Sequence, residues 1–477
     1  MTRLAFVLAI LLACAIYAGR AALQAFSGSP LVLILVAVLA VAPALAWLSG
    51  GLRSLPLLPV FCAVAAIYYV GPVFDPSHGL STSAPEELDR ALAAVACYLA
   101  AAQLPFWISI FRRREQNAPL WTLKRIPLLQ STRLLWGLIW LWVLFGVLSY
   151  LQILSVLGAY GHSVTTIIDS LGLLAIFMLG NLLGRGQLGL RGKLAMFASI
   201  SLWAALKLLS GFLDATSLVL LVALMGYVCG ARRIPVVTML MLAMIVQFLH
   251  LGKDDFRDRY WIPGANWSAE PVPVIQGYRY WADASWRKIT TYDSDTASAQ
   301  RNLLQRLQLL GWLSMVVRDT PEPHEYLNGE TYAQLPLLLV PRFLYPGKPR
   351  GTLPSETLAM HYGVQTAIDV EKTSVGFGQI AEGWANFGWM GVIGAGITAG
   401  WLLFFFERLS QDRGVDTVGY IICVCLLPLS LDLEHCLAQW IVIGVQTLTV
   451  ILPFLWIVMR VSSRELDMVG GSTLSRG

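Results

Sequence analysis

The run 234–251, IPVVTMLMLAMIVQFLHL, passes without a break into 252–261, GKDDFRDRYW. The first part is apolar and close to the roughly 20 helical residues that cross a hydrocarbon core. The second carries Lys253, Asp254, Asp255, Arg257, Asp258 and Arg259, then Tyr260 and Trp261. This is how a membrane span reads where it leaves the lipid, with aromatic side chains at the interface. Polar sequence continues to about Val375, and the chain is apolar on both sides of that island.

Working outward, apolar runs recur near 4–25, 31–49, 55–74, 89–111, 134–154, 164–184, 194–210, 214–230, 234–251, 379–406, 416–432 and 437–459. With 56% apolar residues, 13% charged residues and 17 tryptophans, the composition is not that of a soluble domain. The expected fold is an all-α polytopic membrane protein of about twelve transmembrane helices. A nine-helix block (1–251) precedes a large extracytoplasmic loop (252–375) between helices nine and ten, and a three-helix block (376–477) follows. Arg3 before the first apolar run has the look of a signal peptide. The eleven runs that follow favour an uncleaved first helix.

Positive charge in the short loops sets the orientation. Arg53, Arg112 to Arg114, Lys124 and Arg125, Arg185, Arg191 and Lys193, Arg232 and Arg233, Arg408 and Arg413, and Arg460 and Arg464 all fall on one side. The loop at 75–89, with Asp75, Glu86, Glu87 and Asp89, falls on the other. Both termini are therefore expected in the cytoplasm and the island outside. The net charge of +5 is small for 477 residues and gives no reason to expect nucleic acid as a partner. The seven cysteines nearly all lie within apolar runs, where core filling accounts for them better than disulfides or metal.

The island has internal order. In a continued helix Lys253 and Arg257 share a face, and Asp255 and Arg259 form an i,i+4 pair. The segment 335–344, LPLLLVPRFL, is strongly apolar but too short to cross, and prolines interrupt it. Such a segment covers a cavity or dips into the membrane edge, bringing Arg342 to headgroup level. Pro346-Gly347-Lys348-Pro349-Arg350 follows, so proline-stiffened backbone carries three cations. Arginine offers a planar fork suited to phosphate. Adhesion to anionic headgroups explains the charge as well, though not the prolines.

Glu382 lies near the outer start of the tenth run, where a carboxylate is costly unless it is paired or faces water. Pairing with an island arginine competes there with a part in catalysis. His361, Glu330 and the group Asp432, Glu434 and His435 are further outer-face candidates. Asp293-Ser294-Asp295 has metal-site spacing that is common by chance, so no metal is expected. The glycines from Gly391 to Gly400 read as helix packing rather than a nucleotide loop.

Three stretches together resemble the Wzy-type oligosaccharide repeat-unit polymerases: Gly329-Glu330-Thr331-Tyr332, Val340 through Pro349, and Ala381 through Gly391. Lys253 through Trp261 after a long span is also similar to that group, and the likeness covers roughly 250–400. The resemblance implies a GT-C-like glycosyltransferase at the outer face of the bacterial plasma (inner) membrane. It would transfer a growing glycan from undecaprenyl diphosphate to the terminal hydroxyl of a lipid-linked repeat unit, in O-antigen or exopolysaccharide synthesis. Implied partners are undecaprenyl-diphosphate-linked glycans, membrane lipids, a flippase and a chain-length regulator, with no cofactor. On that reading Arg342, Lys348, Arg350, Arg257, Lys253 and Arg259 bind diphosphate, and Glu382, with His361 behind it, is the general base. Alternatives are a ligase with the same donor chemistry, a transporter or flippase of lipid-linked sugars, and a non-catalytic scaffold. A transporter would show broken or charged helices near mid-membrane.

Overall fold

The computed structural model describes residues 26–49, 54–74, 84–112, 120–126, 131–154, 161–211, 213–261, 272–290, 309–340, 344–345, 347–372, 374–411 and 414–474. Among them every regular element is a helix, and the only extended pairing is an isolated bridge between Arg125 and Thr417. Among the described residues six helices are long and apolar enough to cross a membrane: Pro30–Ser49, Pro85–Phe111, Thr132–Tyr150, Ile167–Gly184, Gly378–Ser410 and Leu437–Arg460. A seventh is counted if Val236–Leu251 and Lys253–Tyr260, bent by 44° at Gly252, form one span. The protein is an all-α membrane protein. The expected first span, 4–25, lies outside the described residues. Shorter apolar helices, Leu57–Val73, Ala215–Ala231 and Val418–Leu431, occupy the places of three other expected spans.

The chain divides into two compact units. One is built from Met1–Gln116, Ser298–Glu407 and Leu429–Gly444, the other from Asn117–Ala297, Arg408–Pro428 and Val445–Gly477. This division cuts the polar island, giving 252–297 to the second unit and 298–375 to the first.

In the first unit Pro30–Ser49 packs on Leu57–Ala65 and on Pro85–Arg112, and Leu309–Asp319 packs on Pro85–Arg112 as well. The decisive element is Gly378–Ser410, which is not one straight helix. Phe387 (φ −144°, ψ 19°) and Gly388 (φ 57°, ψ −135°) leave helical geometry. A Cβ placed on Gly391 would lie 1.9 Å from the Gly383 carbonyl oxygen. Eight residues of straight helix would separate these positions by roughly 12 Å. The chain therefore doubles back at Phe387–Gly388, and Gly378–Phe387 lies along the start of the following leg as a helical hairpin. Gly388 permits the turn because its positive φ is closed to most side chains. The uninterrupted span expected over 379–406 is corrected accordingly. Its second leg alone is about 33 Å long, enough to cross. That leg packs backbone to backbone on Pro85–Arg112, where Gly396 meets the Tyr98 carbonyl and Gly400 meets that of Ala102. This is the small-residue packing expected of the glycine run.

The second unit uses the same device in Gly161–Gly184 and Asp214–Ala231. Gly180 and Gly184 face the carbonyls of Ala223 and Tyr227, and Gly226 and Gly230 face those of Phe177 and Asn181. Nearby, Trp142 stacks on Trp203 at 4.2 Å and donates to Asp169. Lys207, in the last turn of Leu190–Leu208, lies over the Trp203 ring and within electrostatic range of Asp169.

Candidate functional site

The first leg of the hairpin, Gly378–Phe387, gathers the site. Its last turn exposes carbonyls that no helical amide can reach. The amide of Leu327 takes up the Ala385 carbonyl at 2.9 Å. Asn386 then ties the loop before Glu330–Ala333 to the hairpin. Its Oδ1 accepts from the Gly329 amide at 2.9 Å, and its Nδ2 donates to the Thr331 hydroxyl and to the Glu382 carbonyl. Gly329 takes a left-handed φ of 92°, and a side chain there would strike the Phe387 ring. Gly329–Tyr332 and Ala381–Gly388, distant in sequence, are thus one structure.

Glu382 has no exposed surface. Its Oε2 accepts from the Leu437 amide, the first residue of Leu437–Leu474, and the Thr331 hydroxyl and Ala438 amide are also directed at the carboxylate. Among the described residues Oε1 has no donor in good hydrogen-bond geometry. A carboxylate buried in an apolar surround costs several kcal/mol unless it is compensated. Here the amides and positive end of the last helix compensate it. The pairing that the sequence demanded exists, and among the described residues it is made with a helix start; Arg342 lies outside them.

The residues just before that helix form a second cluster. Asp432 holds the His435 backbone amide at 3.3 Å on Oδ1, while its Oδ2 accepts from the imidazole Nδ1. Burial alone would push the His435 imidazole down. Its bond to Asp432 and the charges of Asp432 and Glu434 outweigh that and raise it. Glu434 accepts from the Tyr68 hydroxyl at 2.7 Å, and its carbonyl accepts from the Gly378 amide at 2.9 Å. Gly376 packs against Glu434 so closely that a side chain would crowd it. Ser355, on Leu353–His361, reaches the Cys436 thiol and Gln439 at 3.4 Å. The loop 432–436 is therefore fastened to the start of the hairpin.

His361 sits apart from these bonds. Its Nε2 meets the Glu325 carbonyl at 3.1 Å, its ring packs on His324 and Tyr362, and burial holds it below its ordinary value. Glu330 is exposed. Among the cations, Arg342 lies outside the described residues. Lys348 is half-buried and donates to the Leu338 carbonyl at the end of Leu335–Leu339, and Arg350 is exposed.

Lys253, Arg257 and Arg259 belong to the second unit. Lys253 is buried. Arg257 donates from Nε to the Gly211 carbonyl and lies 4.3 Å from the Trp261 ring. Arg259 lies over Tyr280 and Tyr260. Asp255, expected to pair with Arg259, pairs instead with Lys288 at 2.6 Å. Lys288 is at hand because Val274–Thr290 packs so tightly at Gly252 that a Cβ there would meet the Ser285 hydroxyl and the Trp281 carbonyl. No group of three metal-ligating side chains occurs among the described residues, and Asp293 and Asp295 lie outside them.

No protein-family model, curated protein or solved structure matches the chain.

Proposed function

We propose that the chain is a membrane glycosyltransferase that polymerises undecaprenyl-diphosphate-linked oligosaccharide repeat units at the outer face of a bacterial plasma membrane. One observation carries this reading. Two of the stretches behind the resemblance, Gly329–Tyr332 and Ala381–Gly391, meet through Asn386 across 55 residues of sequence. A chance likeness in separate loops gives no reason for such a junction.

The chemistry needs two things. The donor's energy lies in its glycosyl diphosphate bond, so no nucleotide is required outside the cell. Departure of the diphosphate builds negative charge, which cations placed in advance stabilise. Arg342, Lys348 and Arg350 are proposed for this, with Lys253, Arg257 and Arg259 as a second set. The acceptor hydroxyl must also lose its proton to a base. The twelve-span topology with both termini cytoplasmic and a GT-C-like fold belong to the same proposal. The bent pair at Gly252 and the three short apolar helices, lying where spans are expected, support it.

A transporter of lipid-linked oligosaccharides is the second reading, favoured by the broken helices at Gly252 and Gly388. Purified protein in vesicles, given lipid-linked repeat units, separates the two. The polymerase produces a ladder of longer glycans, whereas translocation without a ladder sinks it in favour of transport. Arg342→Ala is expected to abolish chain growth while the protein stays in the membrane. Normal polymer from that variant refutes the phosphate role.

A further inference from the structure

We infer that His435, oriented by Asp432, takes the proton from the acceptor hydroxyl; this inference rests on the transferase reading above. Access and orientation decide between the candidates. Glu382 has no exposed surface and uses Oε2 to hold the Leu437 amide. His361 commits Nε2 to the Glu325 carbonyl. The His435 side chain is 39% exposed, and its position is fixed from two directions, because Asp432 holds both the backbone amide and Nδ1. A carboxylate facing Nδ1 makes that nitrogen the donor, which leaves the lone pair on Nε2. This is the arrangement in which an acidic partner sets the tautomer of a catalytic imidazole and stabilises the imidazolium that forms.

The pair is also seated in the candidate site. Glu434 between its members is bound to Gly378 and Tyr68, and the next residues begin the helix that Glu382 holds. As the acceptor oxygen bonds to the donor's anomeric carbon, its proton passes to Nε2. The bond from that carbon to the diphosphate oxygen breaks, and the electron pair leaves with undecaprenyl diphosphate. Water then removes the proton from the imidazolium. Asp432 acts through His435 and is a positioning residue.

The test is the ladder assay on full-length protein, with rates referred to monodisperse material recovered from the membrane. His435→Gln is expected to lower the rate by about 100-fold or more, and added imidazole should restore part of the activity of His435→Ala. Asp432→Asn is expected to lose about 10-fold, with the rising limb of the pH–rate profile moved to lower pH. Among the described residues the titratable groups facing the Asp432–His435 pair and its neighbour Glu434 include Tyr68 and Cys436, and the shift is read against them. Wild-type rates from His435→Gln overturn the assignment. So does a failure of imidazole to rescue a monodisperse His435→Ala protein, or a loss in Glu382→Gln larger than that in His435→Gln. A wild-type protein that makes no ladder overturns the transferase reading beneath it instead.

Discussion

The segment Gly378–Ser410 carries a buried glutamate near each end, and the two ends are built alike up to a point. Glu382 accepts from the Leu437 amide at the start of the last helix. Glu407 accepts from the Leu58 amide at the start of Leu57–Ala65 and from the Ser54 hydroxyl. In each case a carboxylate removed from water is balanced by the positive end of another helix. Beyond that the ends differ. Only at the Glu382 end does an oriented, half-exposed Asp432–His435 pair stand just ahead of the capped helix, with Asn386 knitting in the loop at 327–331. A buried carboxylate at either end thus fastens a helix start, and the half-exposed Asp432–His435 pair distinguishes the Glu382 end, the one proposed to act on substrate.

The largest expected effect strikes the hairpin that makes the Glu382 end possible. Gly391→Ala puts a methyl group 1.9 Å from the Gly383 carbonyl, with backbone on both sides and nothing able to yield. A loss of more than about 4 kcal/mol is expected, seen as failure to recover monodisperse protein by size exclusion in detergent. Gly394→Ala, whose added Cβ would meet nothing, is expected to behave as wild type. Equal behaviour of the two variants would show that the chain does not double back at Gly388.

Next come the fasteners themselves. Glu382→Ala and Glu407→Ala each strand buried amides, at a cost of about 2–4 kcal/mol, read as lowered melting temperatures of similar size. The ends part company in activity. Glu407→Ala is expected to keep its rate per folded molecule, because the proposed proton acceptor stands at the other end. A Glu407→Ala protein that folds but cannot polymerise breaks the comparison. Asn386→Ala is a smaller perturbation, about 1–2 kcal/mol for the Gly329 amide and Thr331 hydroxyl it abandons, and it tests whether the loop matters to the rate.

The difference between the ends also explains what the sequence could disclose. Hydrophobic runs announce helices one at a time, so the apolar elements and the packing glycines Gly396 and Gly400 were legible. The turn at Gly388 was not, because a glycine that breaks a helix looks like its neighbours that pack one. The partner of Glu382 was invisible for another reason: it is the backbone amide of Leu437, and backbone carries no side-chain signal. Asp432 and His435 could be read as a polar group at i,i+3 spacing. Their weight comes from Glu434 being bound to Gly378, a contact across the fold that no local pattern records. Tight backbone contact through Gly180, Gly184, Gly226 and Gly230 is prepared by small-residue spacing, but because the two helices are separate runs the spacing alone does not say which faces which.

The smallest expected effect is the dependence on pH, and its sign tests the Glu382 end alone. His435 is held above its ordinary value of 6.5 when folded, so between 6.5 and that raised value the folded protein binds more protons than the unfolded chain. The stability contributed by the pair is therefore fully present below pH 6.5 and is lost as pH rises through the folded value. The melting temperature of wild type is expected to decline modestly over this window, and that of His435→Gln to lack the decline. Catalysis should run the other way, since a proton acceptor works only once it is neutral, so the polymerisation rate climbs over the range in which stability falls. Opposed trends that vanish together in His435→Gln tie both to one imidazole. A stability decline that persists in the variant places the titrating group elsewhere and removes the distinction drawn between the two ends.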